Sequence, residues 1–247
     1  MKKETEIIIK DASIRYQSHS TRLLDFLAKN KEQGFLALSN INLQIRQGER
    51  VGLIGLNGAG KSTLLKMMAK IYHPSSGICH VEGRVCPLFE FATGFEMDMN
   101  GWSNIRIRAK LLGMSSQEIK EKIQEIADFT ELGKFLDYPV RTYSAGMFIR
   151  LAFAISTAII PEILLLDEVI GAGDISFTQK AAKRMETFMQ KGQILVLATH
   201  TPDLLKNFCA RTLWLHQGRI MMDGPTSEVW QAYTEFSHAL RQEATVS

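Results

Sequence analysis

Short apolar runs, each closed by a glycine or a charge, flank a long middle stretch with a different rhythm. Ile7-Ile8-Ile9 and Ala12 to Tyr16 predict strand, and Leu38, Ile41, Leu43 and Ile45 continue that pattern up to the turn at Gln47-Gly48-Glu49. Between these runs, 17–34 is polar and helix-capable, with Leu23, Leu24 and Leu27 able to share one helical face. Arg50-Val51-Gly52-Leu53-Ile54 predicts a buried strand, and Gly77 to Cys86 predicts a hairpin around Glu82-Gly83. Over 92–160 the period becomes helical: Ile119, Ile123, Ile126 and Ala127 recur in a charged background. Strand and helix then alternate through Ile163–Leu166, Phe177–Gln190, Ile194–Thr199, Asp203–Phe208 and Thr212–His216. That alternation predicts an α/β core with a parallel sheet, helices on both faces and an inserted helical subdomain.

Composition changes this picture little. At 247 residues the chain has room for one large α/β domain carrying an insertion. A net charge of +3, from 29 basic and 26 acidic side chains, is too small to argue for nucleic acid as a partner. A basic face toward an anionic membrane is compatible with it. Leu151 to Ile160 is too short for a membrane span and carries Ser156 and Thr157, so it predicts a buried helix. No apolar core follows Lys2 and Lys3, which argues against a signal peptide. Cys79, Cys86 and Cys209 have neither metal-ligand spacing nor an even-numbered framework, and predict reduced core thiols in a cytosolic protein. The six histidines form no H-x-x-x-H pair, so nothing suggests zinc.

The candidate chemistry begins where the third apolar run ends. Gly55-Leu56-Asn57-Gly58-Ala59-Gly60-Lys61-Ser62-Thr63 is a complete G-x-x-x-x-G-K-[ST] phosphate loop, and Leu64-Leu65-Lys66-Met67-Met68 continues it as helix. Glycines let successive backbone N–H groups turn inward around a phosphate, and the helix N-terminus adds its positive end. Lys61 is placed for the β- and γ-phosphates of ATP, and Ser62 for Mg²⁺. A Gly-rich turn before a helix is the bland alternative, and the strand–loop–helix context argues against it. Ile163-Leu164-Leu165-Leu166 runs into Asp167-Glu168, which predicts a strand whose carboxyl end presents Asp167 to a Mg²⁺ water and Glu168 to the attacking water. Tyr143-Ser144-Ala145-Gly146-Met147 precedes a helix that Ser144 can cap, while Ala145 and Gly146 leave room for an anion. Taken alone, that segment is a plain helix N-cap; its nearness in sequence to Asp167-Glu168 shifts the balance toward a ligand role.

In this order, the phosphate loop, Y-S-A-G-M, L-L-L-D-E-V and Ala198-Thr199-His200 resemble the ATPase subunit of an ABC transporter. The usual signature there is L-S-G-G-Q. The variant Tyr143–Met147, Pro139-Val140-Arg141-Thr142, Gly83-Arg84-Val85, 88–95 and Gly173–Phe177 are similar to the exporters of O-antigen, capsular polysaccharide or teichoic acid. The resemblance implies a P-loop ATPase with a mixed or parallel sheet, in which 1–247 is one domain, 17–34 is an insert near the polymer entry or a plain surface loop, 92–160 is the signature subdomain and 226–247 is a short C-terminal helix or tail. It implies Tyr16 as the aromatic that stacks on adenine, with a core strand tyrosine as the alternative. It also implies Asn57 to Thr63 around the phosphates, Glu168 as general base and His200 on the γ-phosphate, although a lone histidine after a strand is more often structural. Glu90 stands where the family has a glutamine near Mg²⁺, and Asp174 matches a loop crossing the dimer interface. The stretch Phe95 to Asn104 departs from the subfamily's pattern where the membrane partner is met.

A second copy of the chain is implied, so that Ser144 and Gly146 of one protomer close the ATP site of the other. An integral membrane permease in two copies is implied too, with polysaccharide cargo touched only indirectly and the chain peripheral to the cytoplasmic face of the bacterial membrane. After Thr226 too little chain remains for a sugar-binding module. Export of a lipid or drug and a soluble non-transport ABC ATPase stay open as alternatives. A GTPase switch is disfavoured because no N-K-x-D motif is present.

Overall fold

A computed structural model describes residues 4–17, 34–90, 93–167 and 175–246. The chain divides into two units, Met1–Gly83 with Val196–Ser247, and Arg84–Leu195. The first opens with β1 (Glu6–Gln17), β2 (Gly34–Arg46), β3 (Arg50–Ile54), α1 (Lys61–Met68) and β4 (Ser76–Glu82). The second holds β5 (Val85–Pro87), α2 (Gly101–Leu111), α3 (Ser116–Thr130), α4 (Ala145–Ser156), β6 (Ile163–Asp167) and α5 (Ile175–Lys191). Then β7 (Ile194–Ala198) returns the chain to the first unit, which ends with α6 (Pro202–Phe208), β8 (Arg211–His216), β9 (Arg219–Pro225) and α7 (Thr226–Val246).

In the first unit β1 lies between β2 and β4, antiparallel to both. Ile7 and Ile9 are buried, Lys10 and Asp11 are exposed, and Ala12 and Ile14 are buried again. A bulge between Ile9 and Ala12, with Asp11 at φ 49°, supplies the extra residue that returns Ala12 and Ile14 to the buried face. Buried from Val51 onward, β3 pairs parallel with β8, which pairs antiparallel with β9. The sheet is therefore mixed rather than wholly parallel. Gln217 (φ 46°) and Gly218 (φ 75°) both occupy the left-handed region, the requirement of a two-residue type I′ hairpin turn.

The hairpin predicted over Gly77 to Cys86 does not form. Instead β4 pairs with β1, aligning Ile7 with Val81 and Ile9 with Cys79, while β5 pairs parallel with β6. Partners remote in sequence win because each strand gains a buried neighbour that a local turn does not offer: Val81 and Cys86 are both buried. Of the cysteines, Cys86 and Cys209 are core thiols, with burial pushing both up to about 12. Cys79 is half-buried and pushed up to about 11.

The second unit is centred on Phe129, Phe153 and Phe177, whose rings meet pairwise at 5.8 to 6.1 Å. Ile119, Ile126 and Ala127 bury one face of α3, and Ile123 is half-buried beside them. This helix starts with a capping box: the Ser115 hydroxyl accepts from Glu118 N, and the Glu118 carboxylate accepts from Ser115 N. Ser115→Ala is expected to cost about 1 kcal/mol, read as a lower urea midpoint at unchanged slope. Hydrogen bonds from Ser115 hold the Glu118 carboxyl below its usual range. Its contribution is therefore present above the unfolded carboxylate value and is lost as pH falls through the lowered folded value.

Candidate functional site

The end of β3 sets the loop that follows. Gly55 (φ 151°) lies so close to β8 that a Cβ would stand 2.3 Å from the Leu215 carbonyl oxygen. Gly60 (φ 107°) opens α1 without a side-chain cap, and no acidic residue lies in the first turn. The positive end of the helix is thus matched by no neighbouring carboxylate of its own. Lys61 is buried and folds back across the loop, where Nζ donates to Gly55 O at 2.6 Å and Leu56 O at 3.2 Å. Its ammonium therefore stands over the curve of backbone N–H groups. Asn57, Gly58 and Ser62 are exposed along the rim, Ala59 is buried, and Thr63 is half-buried. Glycines, amide donors and one cation form a donor set suited to a polyphosphate.

Two further predicted residues of this unit reach the same neighbourhood. The Tyr16 hydroxyl lies 3.0 Å from Thr63 Oγ1, which ties the end of β1 to the first turn of α1. Its exposed ring meets Tyr72 edge-on at 5.7 Å, and Lys66 Nζ lies 5.5 Å from the Tyr72 ring centroid. Thr199 N donates to Leu53 O at 3.3 Å, so the exposed His200 leaves β7 beside the strand that runs into the loop. Thr201 N donates to Thr199 Oγ1 at 3.0 Å and shapes that exit.

In the second unit, Asp167 closes β6 after four buried apolar residues and is itself half-exposed. Ser144 caps α4, accepting from Met147 N at 3.2 Å. Ser144, Ala145 and Gly146 are exposed, and a Cβ on Gly146 would meet only Ser144 Oγ, at 4.0 Å. This helix also lacks an acid in its first turn. Tyr143 fixes the approach by donating to Phe135 O at 2.8 Å, and burial pushes its phenol up to about 12. Glu168 and Asp174 lie outside the described residues, as do 18–33 of the predicted insert and the side chain of Glu90.

Asn104 escaped the sequence reading. It is fully buried, its Oδ1 accepts from Glu96 N at 2.8 Å, and its Nδ2 donates to the carbonyls of Glu96, Met99 and Asn100 at 2.9 to 3.2 Å. One amide thereby satisfies four backbone groups of 96–100, the stretch read as the meeting place with a partner. A polar residue amid the apolar spacing of α2 was its only signal.

The profile of the family described as ABC transporter matches residues 38–171. The chain is 43% identical over 230 residues to the O-antigen export system ATP-binding protein RfbE of Yersinia enterocolitica, covering 87% of this chain and 96% of that one. It is 40% identical over 224 residues to the O-antigen export system ATP-binding protein RfbB of Myxococcus xanthus (89% of this chain, 51% of that one). It is 37% identical over 222 residues to the teichoic acids export ATP-binding protein TagH of Bacillus anthracis (90% and 40%). The chain thus spans about half the Myxococcus relative's length, and less of the Bacillus one. Among solved structures, a dimeric ATP-binding cassette in a post-hydrolysis state with ADP and Pi superposes with a TM-score of 0.67 at 21% identity, covering 89% of this chain and 98% of that one. An ATP-binding subunit of an ABC transporter gives 0.69 at 21% identity, covering 92% and 93%. At that identity the superpositions show the fold alone. With more than half of the chain inside that profile and a near full-length relative at 43% identity, the chain belongs to the ABC transporter family.

Proposed function

We propose that this chain is the ATP-binding and hydrolysing subunit that powers export of a lipid-linked polysaccharide of the O-antigen type. It works at the cytoplasmic face of the membrane with a separate integral permease. The observation that carries the cargo assignment is the match to the Yersinia O-antigen export protein along nearly the whole of both chains. Among the described residues no helix is long and apolar enough to cross a membrane, which is in keeping with a permease on another polypeptide.

The site residues take the following roles in this reading. The N–H groups from Asn57 to Thr63 and the Lys61 ammonium hold the phosphates, with Tyr16 against the adenine and His200 toward the γ-phosphate. Among the described residues no three His, Cys, Asp or Glu side chains gather into a metal cage. Mg²⁺ leans on substrate phosphates and a few protein oxygens, here the Ser62 hydroxyl, Asp167 and, as a further candidate, Glu90. Glu168 deprotonates or orients the attacking water. Ser144 and Gly146 serve the γ-phosphate of a second copy, so two chains clamp two nucleotides and two permease copies complete the assembly. The exposed, acid-free start of α4 supports that role. The 92–160 region then carries the signature surface, and 17–34 lies near the polymer entry.

The test is made in the producing cell. Replacing the chain by its Lys61→Ala variant is expected to remove the polymer from the cell surface and to accumulate it, lipid-linked, inside. Unchanged surface polymer, with nucleotide binding lost in the purified variant, would refute the cargo assignment.

A further inference from the structure

The phosphate loop rests on elements that follow it by a long stretch of chain. Ala59 O accepts from Gly218 N at 2.9 Å, and Gly218 O accepts from Ser39 N at 2.9 Å, so the β8–β9 turn is fastened to both the loop and β2. Leu56, the second residue of the loop, packs against an apolar cluster of Ile54, Leu205, Trp214, Val229 and Tyr233. Two of those five residues belong to α7. Further along that helix, the Phe236 ring lies 5.0 Å from the Trp214 ring and 5.0 Å from the His216 ring. Trp214 and His216 flank Leu215, whose carbonyl is the surface on which Gly55 lies. The Trp214 indole N–H is buried without a hydrogen-bond partner. Packing alone therefore sets the orientation of that ring.

We propose that α7 is a positioning element for the phosphate loop, acting through Phe236 on Trp214 and His216 and through the cluster that holds Leu56. Phosphate recognition by successive backbone N–H groups tolerates little displacement of the backbone that carries them. Removing the Phe236 ring leaves a gap that the Trp214 indole, fixed by no hydrogen bond, turns to fill. The floor under Gly55 and the seat of Leu56 move with it. The inference rests on the reading of this loop as the nucleotide site, and its test keeps the two apart.

The experiment is a calorimetric titration of the purified full chain with MgADP, paired with thermal melting. Phe236→Ala is expected to weaken MgADP at least about fivefold, and Phe236→Leu to restore affinity to within about twofold of the parent. Thr226→Ala removes the hydroxyl that donates to Cys209 O at 2.6 Å at the other end of α7. It is expected to lower Tm while leaving affinity unchanged, which separates positioning from general stability. If Phe236→Ala binds MgADP like the parent while Lys61→Ala does not, α7 is only a structural cover and the inference is overturned. If Lys61→Ala also keeps its affinity, the loop is not the nucleotide site and both readings fall. A second measurement follows the ring itself, in a Trp102→Phe, Trp230→Phe background. Because Trp230 packs against the same cluster, that background is used once calorimetry shows that it binds MgADP like the parent. Trp214 emission is then expected to shift on MgADP binding, and a constant spectrum counts against the proposal.

Discussion

Lys61→Ala abolishes tight nucleotide binding, with an expected loss of at least about 100-fold in affinity for MgATP or MgADP. Hydrogen bonds to charged groups contribute roughly 1.5–3 kcal/mol each, and an ammonium shared between two phosphates makes more than one. The site adds to this, because Lys61 is buried and bridges the carbonyls of Gly55 and Leu56, which lose their donor in the variant. Lys61→Arg is not expected to rescue binding, since a planar fork cannot take the place of a compact point charge in so tight a curve. Titration calorimetry decides the matter, and an unchanged affinity removes the phosphate-loop assignment.

Glu168→Gln separates holding the nucleotide from cleaving it. The amide keeps the size of the carboxylate but does not take a proton, so ATP binding is expected to persist while turnover falls at least about tenfold, a conservative floor beside the roughly 10²–10⁴-fold that a general base contributes. In the proposed two-copy clamp, hydrolysis removes the γ-phosphate that draws Ser144 and the start of α4 of the second copy across. The variant is therefore also expected to accumulate an ATP-bound dimer on size-exclusion chromatography. A bulky or acidic residue at the exposed Gly146 should prevent that dimer without touching the phosphate loop of the same chain. Wild-type hydrolysis in Glu168→Gln takes Glu168 out of the base role.

The parts of the molecule that follow a local period could be read from the chain directly. Ile119, Ile126 and Ala127 mark the inner face of α3, and β3 reads as strand because its residues are apolar between a charge and a glycine. The turn from β3 into α1 was legible because the backbone conformation it needs admits few residues at Gly55 and Gly60. What was not legible depended on partners distant in sequence. Val81 and Cys86 suit a hairpin as well as they suit their actual neighbours, and only the whole fold sends one to β1 and the other to β6. Gln217-Gly218 is a weaker turn signal than Asn-Gly, so β9 was missed. Asn104 went unread because the groups it bonds are backbone groups, and these leave no trace in side-chain patterning.

The pairing of β3 with β8 has a consequence for how the protein is made. A ribosome delivers Val51 to Ile54 early and Arg211 to Trp214 only after the entire intervening unit has emerged. For that interval a greasy segment awaits its mate, the circumstance in which nascent chains most readily stick to one another. Newly made molecules should therefore lean on holding factors until about the last seventh of translation, where β8 begins at Arg211, and a stop codon placed before β8 should yield inclusion bodies rather than a smaller working enzyme.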